Sequence, residues 1–256
     1  MFRPRVMPCL LLKDLGLVKT VQFKNPRYIG DPMNAVRIFN AKEADELVFL
    51  DICATREKRT IDVSLVGKIA GETLMPFAVG GGIRNIRAVR ELITSGAEKV
   101  VINSFVSESP EFVREVADTF GSQSVVVSID ALKKADGRYE AMTRSGIRPT
   151  GLDPVVLARK AEEYGAGEIL ITSIDRDGSM QGYDLELVAL VSRAVGLPVI
   201  ACGGAGNLAD FREAVLTGGA TAVAAGSLFV YHGKRRAVLI SFPSKAELLE
   251  TFAEIA

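Results

Sequence analysis

Three pairs of short segments recur along this chain at a nearly constant displacement. Glu46-Leu-Val-Phe-Leu matches Glu168-Ile-Leu-Ile-Thr, and Gly81-Gly82-Ile83-Arg84-Asn85 matches Gly203-Gly204-Ala205-Gly206-Asn207, each 122 positions apart. Asn103-Ser104 falls opposite Gly226-Ser227 at a displacement of 123. Register kept over half a chain points to a fold assembled from two copies of one half. The motifs lie on or just after short, almost wholly apolar runs, the mark of parallel strands buried on both faces. Eight such runs are read as strands, at residues 5–12, 46–52, 76–79, 99–102, 124–129, 168–173, 198–202 and 222–225. Between them lie helical patterns, three opened by a cap residue followed by proline: Asp31-Pro32, Ser109-Pro110 and Asp153-Pro154.

Alternating strands and helices suit a doubly wound open sheet or a closed (β/α)8 barrel, and only the barrel anticipates the half-chain repeat. The expectation is therefore a (β/α)8 TIM barrel with a two-fold half-barrel repeat, occupying residues 1–256 as one domain. Residues 136–151 read as a hairpin inserted after the fifth strand.

Lysine plus arginine equals aspartate plus glutamate at 31 each, so there is no net field to attract a polyanion. The longest basic run, Lys234-Arg235-Arg236, is read as a solvated loop, and no nucleic-acid or membrane partner is expected. Cys9, Cys53 and Cys202 sit in apolar runs without CxxC spacing, which suits buried thiols in a reducing, cytoplasmic setting. With His232 the only histidine, most metal centres and Ser-His-Asp schemes drop out, and neither metal nor cofactor is expected. Proton transfer falls to carboxylates and lysine.

In this fold the active site lies at the C-terminal ends of the strands, where backbone N–H groups in the last two loops often hold a phosphate. Gly203-Gly204 and Gly226-Ser227 occupy those places, and Gly81-Gly82 with Asn103-Ser104 repeats the arrangement across the mouth. Two phosphate sites imply a long ligand phosphorylated at both ends. Each glycine pair taken alone would serve equally as a tight turn. Asp51, Asp130 and Asp177 close the second and fifth strands and follow the sixth, as candidate proton-transfer groups or as carboxylates tied to loop arginines and helix caps. At the opposite end Arg5, Glu46, Lys99 and Glu168 stand at strand starts, so four charges of alternating sign should gather around the axis. Such a ring is either a paired stabilising element or a gate for something small.

Asp45-Glu-Leu-Val-Phe-Leu-Asp51, Val79-Gly-Gly-Gly-Ile-Arg84, Lys99-Val-Val-Ile-Asn-Ser104, Ser173-Ile-Asp-Arg-Asp-Gly178 and Gly203-Gly-Ala-Gly-Asn207 resemble the cyclase subunit of imidazole-glycerol-phosphate synthase over residues 5–231. The resemblance implies a glutaminase partner docked on the N-terminal face, with ammonia passing a gate of Arg5, Glu46, Lys99 and Glu168. It implies that Gly82, Asn103 and Ser104 hold one phosphate of a phosphorylated ligand and Asp177, Gly178, Gly204 and Ser227 the other, with Asp51 on the substrate side. Lys19, in a flexible first loop, is carried over as catalytic, although Thr20 follows it where the family usually has glycine.

The family's cyclisation uses two aspartates, and Asp130 matches the second. The first falls at Leu11, which can neither donate nor accept a proton. Asp14 lies nearby but in the following loop. Together with the segment from Leu11 to Asn40, this resembles a divergent branch associated with acetamidino or amidated sugars of surface polysaccharides, in which the barrel works with a glutaminase and a sugar-amidating enzyme. The alternatives are an active histidine-pathway cyclase and a non-catalytic scaffold that switches on the glutaminase.

Overall fold

The computed structural model describes residues 3–233 and 235–255; of the basic run, Lys234 lies outside the described residues. Eight strands form the barrel: β1 (Arg5–Lys13), β2 (Leu47–Asp51), β3 (Phe77–Gly80), β4 (Lys99–Ile102), β5 (Val125–Lys133), β6 (Glu168–Ser173), β7 (Val199–Cys202) and β8 (Ala222–Ala225). Each pairs in parallel with the next, and β8 returns to β1 with Arg5 opposite Ala222 and Pro8 opposite Ala225, so the sheet has no open edge along the barrel. The eight sequence segments coincide with these strands to within a residue or two at most ends. β5 is the exception, running on to Lys133 because its last four residues pair with an inserted hairpin.

Helices α1 (Pro32–Ala41), α2 (Val63–Glu72), α3 (Ile86–Thr94), α4 (Glu111–Phe120), α5 (Pro154–Glu163), α6 (Leu185–Ser192) and α7 (Leu208–Leu216) follow the first seven strands. β8 leads instead into a single turn of helix, α8 (Ser227–Val230), then a short hairpin pairing Tyr231–His232 with Ala237–Val238, in which His232 is exposed, and finally α9 (Lys245–Thr251). Asp31 and Asp153 cap α1 and α5, their carboxylates accepting from Met33 N and Asn34 N, and from Val155 N. Ser109 does not cap α4 as its sequence suggested. Pro110 already has helical dihedrals at the N-cap position, so the Ser109 hydroxyl is turned towards Glu111 instead. The repeat is visible in the caps: Asn85 and Asn207 begin α3 and α7 in the same way, accepting from Ala88 N and Asp210 N.

Strand alternation divides the apolar side chains into two cores. On β1, Val6, Leu10 and Leu12 join the large core beneath the helices, whereas Met7 and Cys9 face the axis with Val48, Val101 and Leu170. Where α1 meets the last segments the outer core is aromatic, with Phe39 edge-on to Phe229 and Phe242 at ring separations of 6.5 and 6.3 Å. Replacing Phe39 by alanine is expected to cost about 3–5 kcal/mol, read as a lower urea midpoint at unchanged m-value.

Two antiparallel additions rise from the C-terminal mouth. β1 turns at Asp14-Leu15 into a hairpin of Gly16–Val21 and Lys24–Gly30. β5 pairs with Tyr139–Thr143, which continues to Arg148–Pro149. The second is the hairpin expected after the fifth strand; the first was expected to be a flexible loop.

Candidate active site

A cavity of about 130 Å³ opens at the C-terminal mouth of the barrel, and both glycine pairs line it. The two hairpins roof it. Gln22 N donates to Asp177 O at 2.9 Å, while Thr20 Oγ1 and Phe23 N both donate to the Asp177 carboxylate, seating the first hairpin on the loop after β6. From the other side Ser145 Oγ donates to Ile52 O, and the tips meet: a Cβ on Gly146 would lie 3.1 Å from the Phe23 ring.

The first cradle follows β3 and β4. Gly82 has φ +64°, and a Cβ there would lie 1.8 Å from Arg59 O, so only glycine fits. Asn103 Nδ2 donates to Asp130 Oδ2 at 3.0 Å, and Ser104 Oγ accepts from Arg144 N at 3.0 Å. The second cradle joins Gly178, Gly204 and Gly226-Ser227. Ser227 Oγ is buried there without a hydrogen-bond partner, a donor free for an incoming anion. A Cβ on Gly226 would sit 2.3 Å from Lys19 Nζ, so this glycine makes room for the ammonium.

That places Lys19 in a way the sequence did not suggest. It lies on a hairpin strand, only 6% exposed, with its amine delivered to the second cradle. Asp51 lines the cavity, and its carboxylate accepts from Cys53 N, Ala54 N and Arg59 Nη1, the last at 2.6 Å, so that it also organises the loop after β2. Asp177 is likewise held by the first hairpin. Cys202 is only partly buried and lines the cavity with Cys9; the neighbouring Cys202 thiol, together with burial, pushes Cys9 well up. Cys53 is buried beside the mouth as expected of a core thiol.

Asp130 stands between the cradles. Burial raises its carboxyl from an ordinary 3.8 to about 7, against the hydrogen bond from Asn103 and with added repulsion from Asp177. It can therefore hold or release a proton near neutral pH. Leu11 also lines the cavity, in register with Leu50, so the strand β1 side offers no titratable group at that level. Asp14, beyond it, is exposed in a turn and lies outside the cavity lining.

At the other end of the axis the four charges close into a ring. Arg5 donates to Glu46 at 2.5 Å and to Glu168 at 2.6 Å, and Lys99 reaches the same two carboxylates at 2.8 and 3.3 Å. Burial would lower the Arg5 guanidinium, but the fields and hydrogen bonds of Glu168 and Glu46 outweigh it and raise it. Between ring and cavity the lumen is apolar.

A barrel with an alternating charge ring at one end and two glycine cradles around a buried carboxyl at the other is an enzyme scaffold of the (β/α)8 class. The family model described as histidine biosynthesis protein matches residues 5–236. A Pseudomonas aeruginosa protein provisionally named imidazole glycerol phosphate synthase subunit hisF2 is 50% identical over 97% of this chain and 99% of its own length. A Leptospira interrogans protein provisionally named imidazole glycerol phosphate synthase subunit HisF is 46% identical over 96% and 98%, and the Alkaliphilus metalliredigens imidazole glycerol phosphate synthase subunit HisF 47% identical over 91% and 92%. The chain belongs to this histidine biosynthesis family, among the imidazole glycerol phosphate synthase HisF-type cyclase subunits. Among the described residues no helix is long and apolar enough to cross a membrane.

The raised Asp130 gives a pH signature. Unfolded, its carboxyl ionises near 3.8; folded, it keeps its proton to about 7. The stability it confers is full below pH 3.8 and is lost as pH rises to 7, because the folded state must then bury a charge. Asp130→Asn should thus match the parent at pH 4 and exceed it at pH 8 by on the order of a few kcal/mol, measured by urea unfolding at both values.

Proposed function

We propose that this chain is the synthase subunit of a glutamine-dependent amidotransferase, receiving ammonia from a glutaminase bound at the N-terminal face and passing it through the barrel to a phosphorylated ligand at the mouth. The observation that carries this reading is the placement of the charge ring and the double cradle at opposite ends of one apolar lumen. Neutral ammonia tolerates such a path, while ammonium would lose its hydration without a counter-charge. Passage requires the ring to part. Its longest contact, Lys99 to Glu168 at 3.3 Å, belongs to the side chain with the flexible stem.

At the mouth, Lys19, Ser227 and the glycine amides would hold one phosphate, Gly82, Asn103 and Ser104 the other, and Asp130 would exchange the proton. Leu11 bears on which acceptor this serves. With one carboxyl where cyclisation needs two, the reading favours the branch that supplies ammonia for acetamidino or amidated surface sugars beside a sugar-amidating enzyme. A second reading, a working cyclase of histidine biosynthesis, is favoured by the Asp130 carboxyl near 7, which has both protonation forms available at neutral pH.

Expression in a histidine auxotroph lacking its cyclase separates the two. No growth is expected from the parent chain, and robust growth would overturn the sugar-branch reading. Leu11→Asp should raise cyclase turnover, by roughly 10²-fold or more where proton transfer limits the rate. With amide-labelled glutamine and a partner glutaminase, label should reach the acceptor product, and Lys99→Ala should divert it to free ammonia. Stimulated glutaminase with no transfer would instead identify a scaffold.

A further inference from the structure

The rim of the first cradle carries more positive charge than its neighbours neutralise. Arg84 donates to Glu108 at 3.0 Å, and Arg144 and Arg148, both on the second hairpin, approach the same carboxylate at 3.9 and 4.0 Å. Three guanidiniums share one acid, and their side chains remain 38%, 44% and 60% exposed. Arg59, on the adjacent loop, does not add to the excess, since Asp51 and Glu57 both bind it.

Arg84 is part of the cavity wall, while Arg144 and Arg148 stand outside its lining and are tied to the cradle through the second hairpin. Arg84 follows Gly82 by two residues and lies over the Phe105 ring at 5.5 Å, and Arg84 and Phe105 both line the cavity. Arg144 donates its own backbone N–H to Ser104 Oγ. An anion seated on Gly82 and Ser104 therefore lies within a side chain's reach of the guanidiniums. The rim of the second cradle is arranged differently: Arg176, beside Gly204, and Arg236 each donate to a backbone carbonyl, Gln181 O and Ser179 O, and do not cluster on a shared acid. The position matching Arg84 in the repeat is Gly206, and the charged cavity residues there, Lys19 and Asp177, are one of each sign.

Resting on the reading of the first cradle as a phosphate site, we infer that it takes a diphosphate: the inner phosphate on the glycine cradle, the outer one on Arg84, Arg144 and Arg148. A diphosphate with one organic substituent carries about two to three negative charges near neutral pH, enough to engage the net positive rim, and guanidiniums bind phosphate oxygens in pairs with directed N–H groups. A lone phosphate in the cradle leaves the outer arginines without an anion. The ligand class is a diphosphate ester with its organic part leading away under the second hairpin.

The test is calorimetric titration of the full chain with inorganic phosphate and with inorganic pyrophosphate at low ionic strength. Pyrophosphate should bind about tenfold or more tighter than phosphate. In Arg144→Gln/Arg148→Gln this preference should fall to about unity, while phosphate affinity changes by no more than about twofold. Should the double variant not fold, Arg148→Gln alone, at the most exposed of the three, should lower the preference about threefold. Equal affinity for the two anions in the parent, or a preference that survives in the variants, would overturn the diphosphate assignment and leave the cradle standing. Binding of neither anion would overturn both.

Discussion

The parallel register that returns β8 to β1 is the constraint on which the rest depends. Closure removes the sheet edges and commits every second residue of each strand to the axis, so a shift by one residue would exchange the lumen for the helix-facing core. Met7 and Cys9 point inward because Val6, Leu10 and Leu12 must pack under the helices. The charged strand starts and the glycine-rich strand ends then fall at opposite mouths of one tube. Chemistry at one end and entry at the other are consequences of that geometry.

The two mouths handle charge differently. Below, Arg5 and Lys99 each bridge Glu46 and Glu168, so the cost of taking four ions out of water is met within the ring. Above, the charges are left for a ligand: Ser227 Oγ lacks a partner, Lys19 is folded into the second cradle, and the arginines around Glu108 exceed its charge. A buried, fully paired ring costs little to keep closed, whereas an under-compensated mouth gains when an anion arrives. Asp130 stands between the cradles with burial holding its proton, and Leu11 facing the same space removes the second acid such a site would otherwise offer.

The hairpins join these features. Asp177 was legible as an acidic residue after β6, but its carboxylate is occupied by Thr20 and Phe23 of the first hairpin, which makes it an anchor for the roof as much as a lining group. The roof tips touch at Phe23 and Gly146, so the two cradles share one cover. Asp51 shows the same division of labour on the opposite side. Three donors around its oxygens tie it to the loop after β2, while the residue still lines the cavity.

The chain's own order of residues determined the barrel, its two-fold repeat, the recurrence of the Gly81–Asn85 motif at Gly203–Asn207, and the sorting of charged and glycine-rich segments to opposite ends. These follow from local rules: the period of strands and helices, and motifs recurring at a constant displacement. What only the tertiary structure decided depends on contacts between residues far apart in the chain. Lys19 reaches Gly226 because a hairpin folds back over the mouth, Arg144 and Arg148 meet Arg84 across the second hairpin, and the Asp130 carboxyl rises through burial that no single segment encodes. Ser109, expected to cap α4, shows the limit from the other side, since the cap was lost when Pro110 entered the helical turn ahead of it. Periodicity is written along one strand or helix, but desolvation and charge balance are summed over everything that packs around a site.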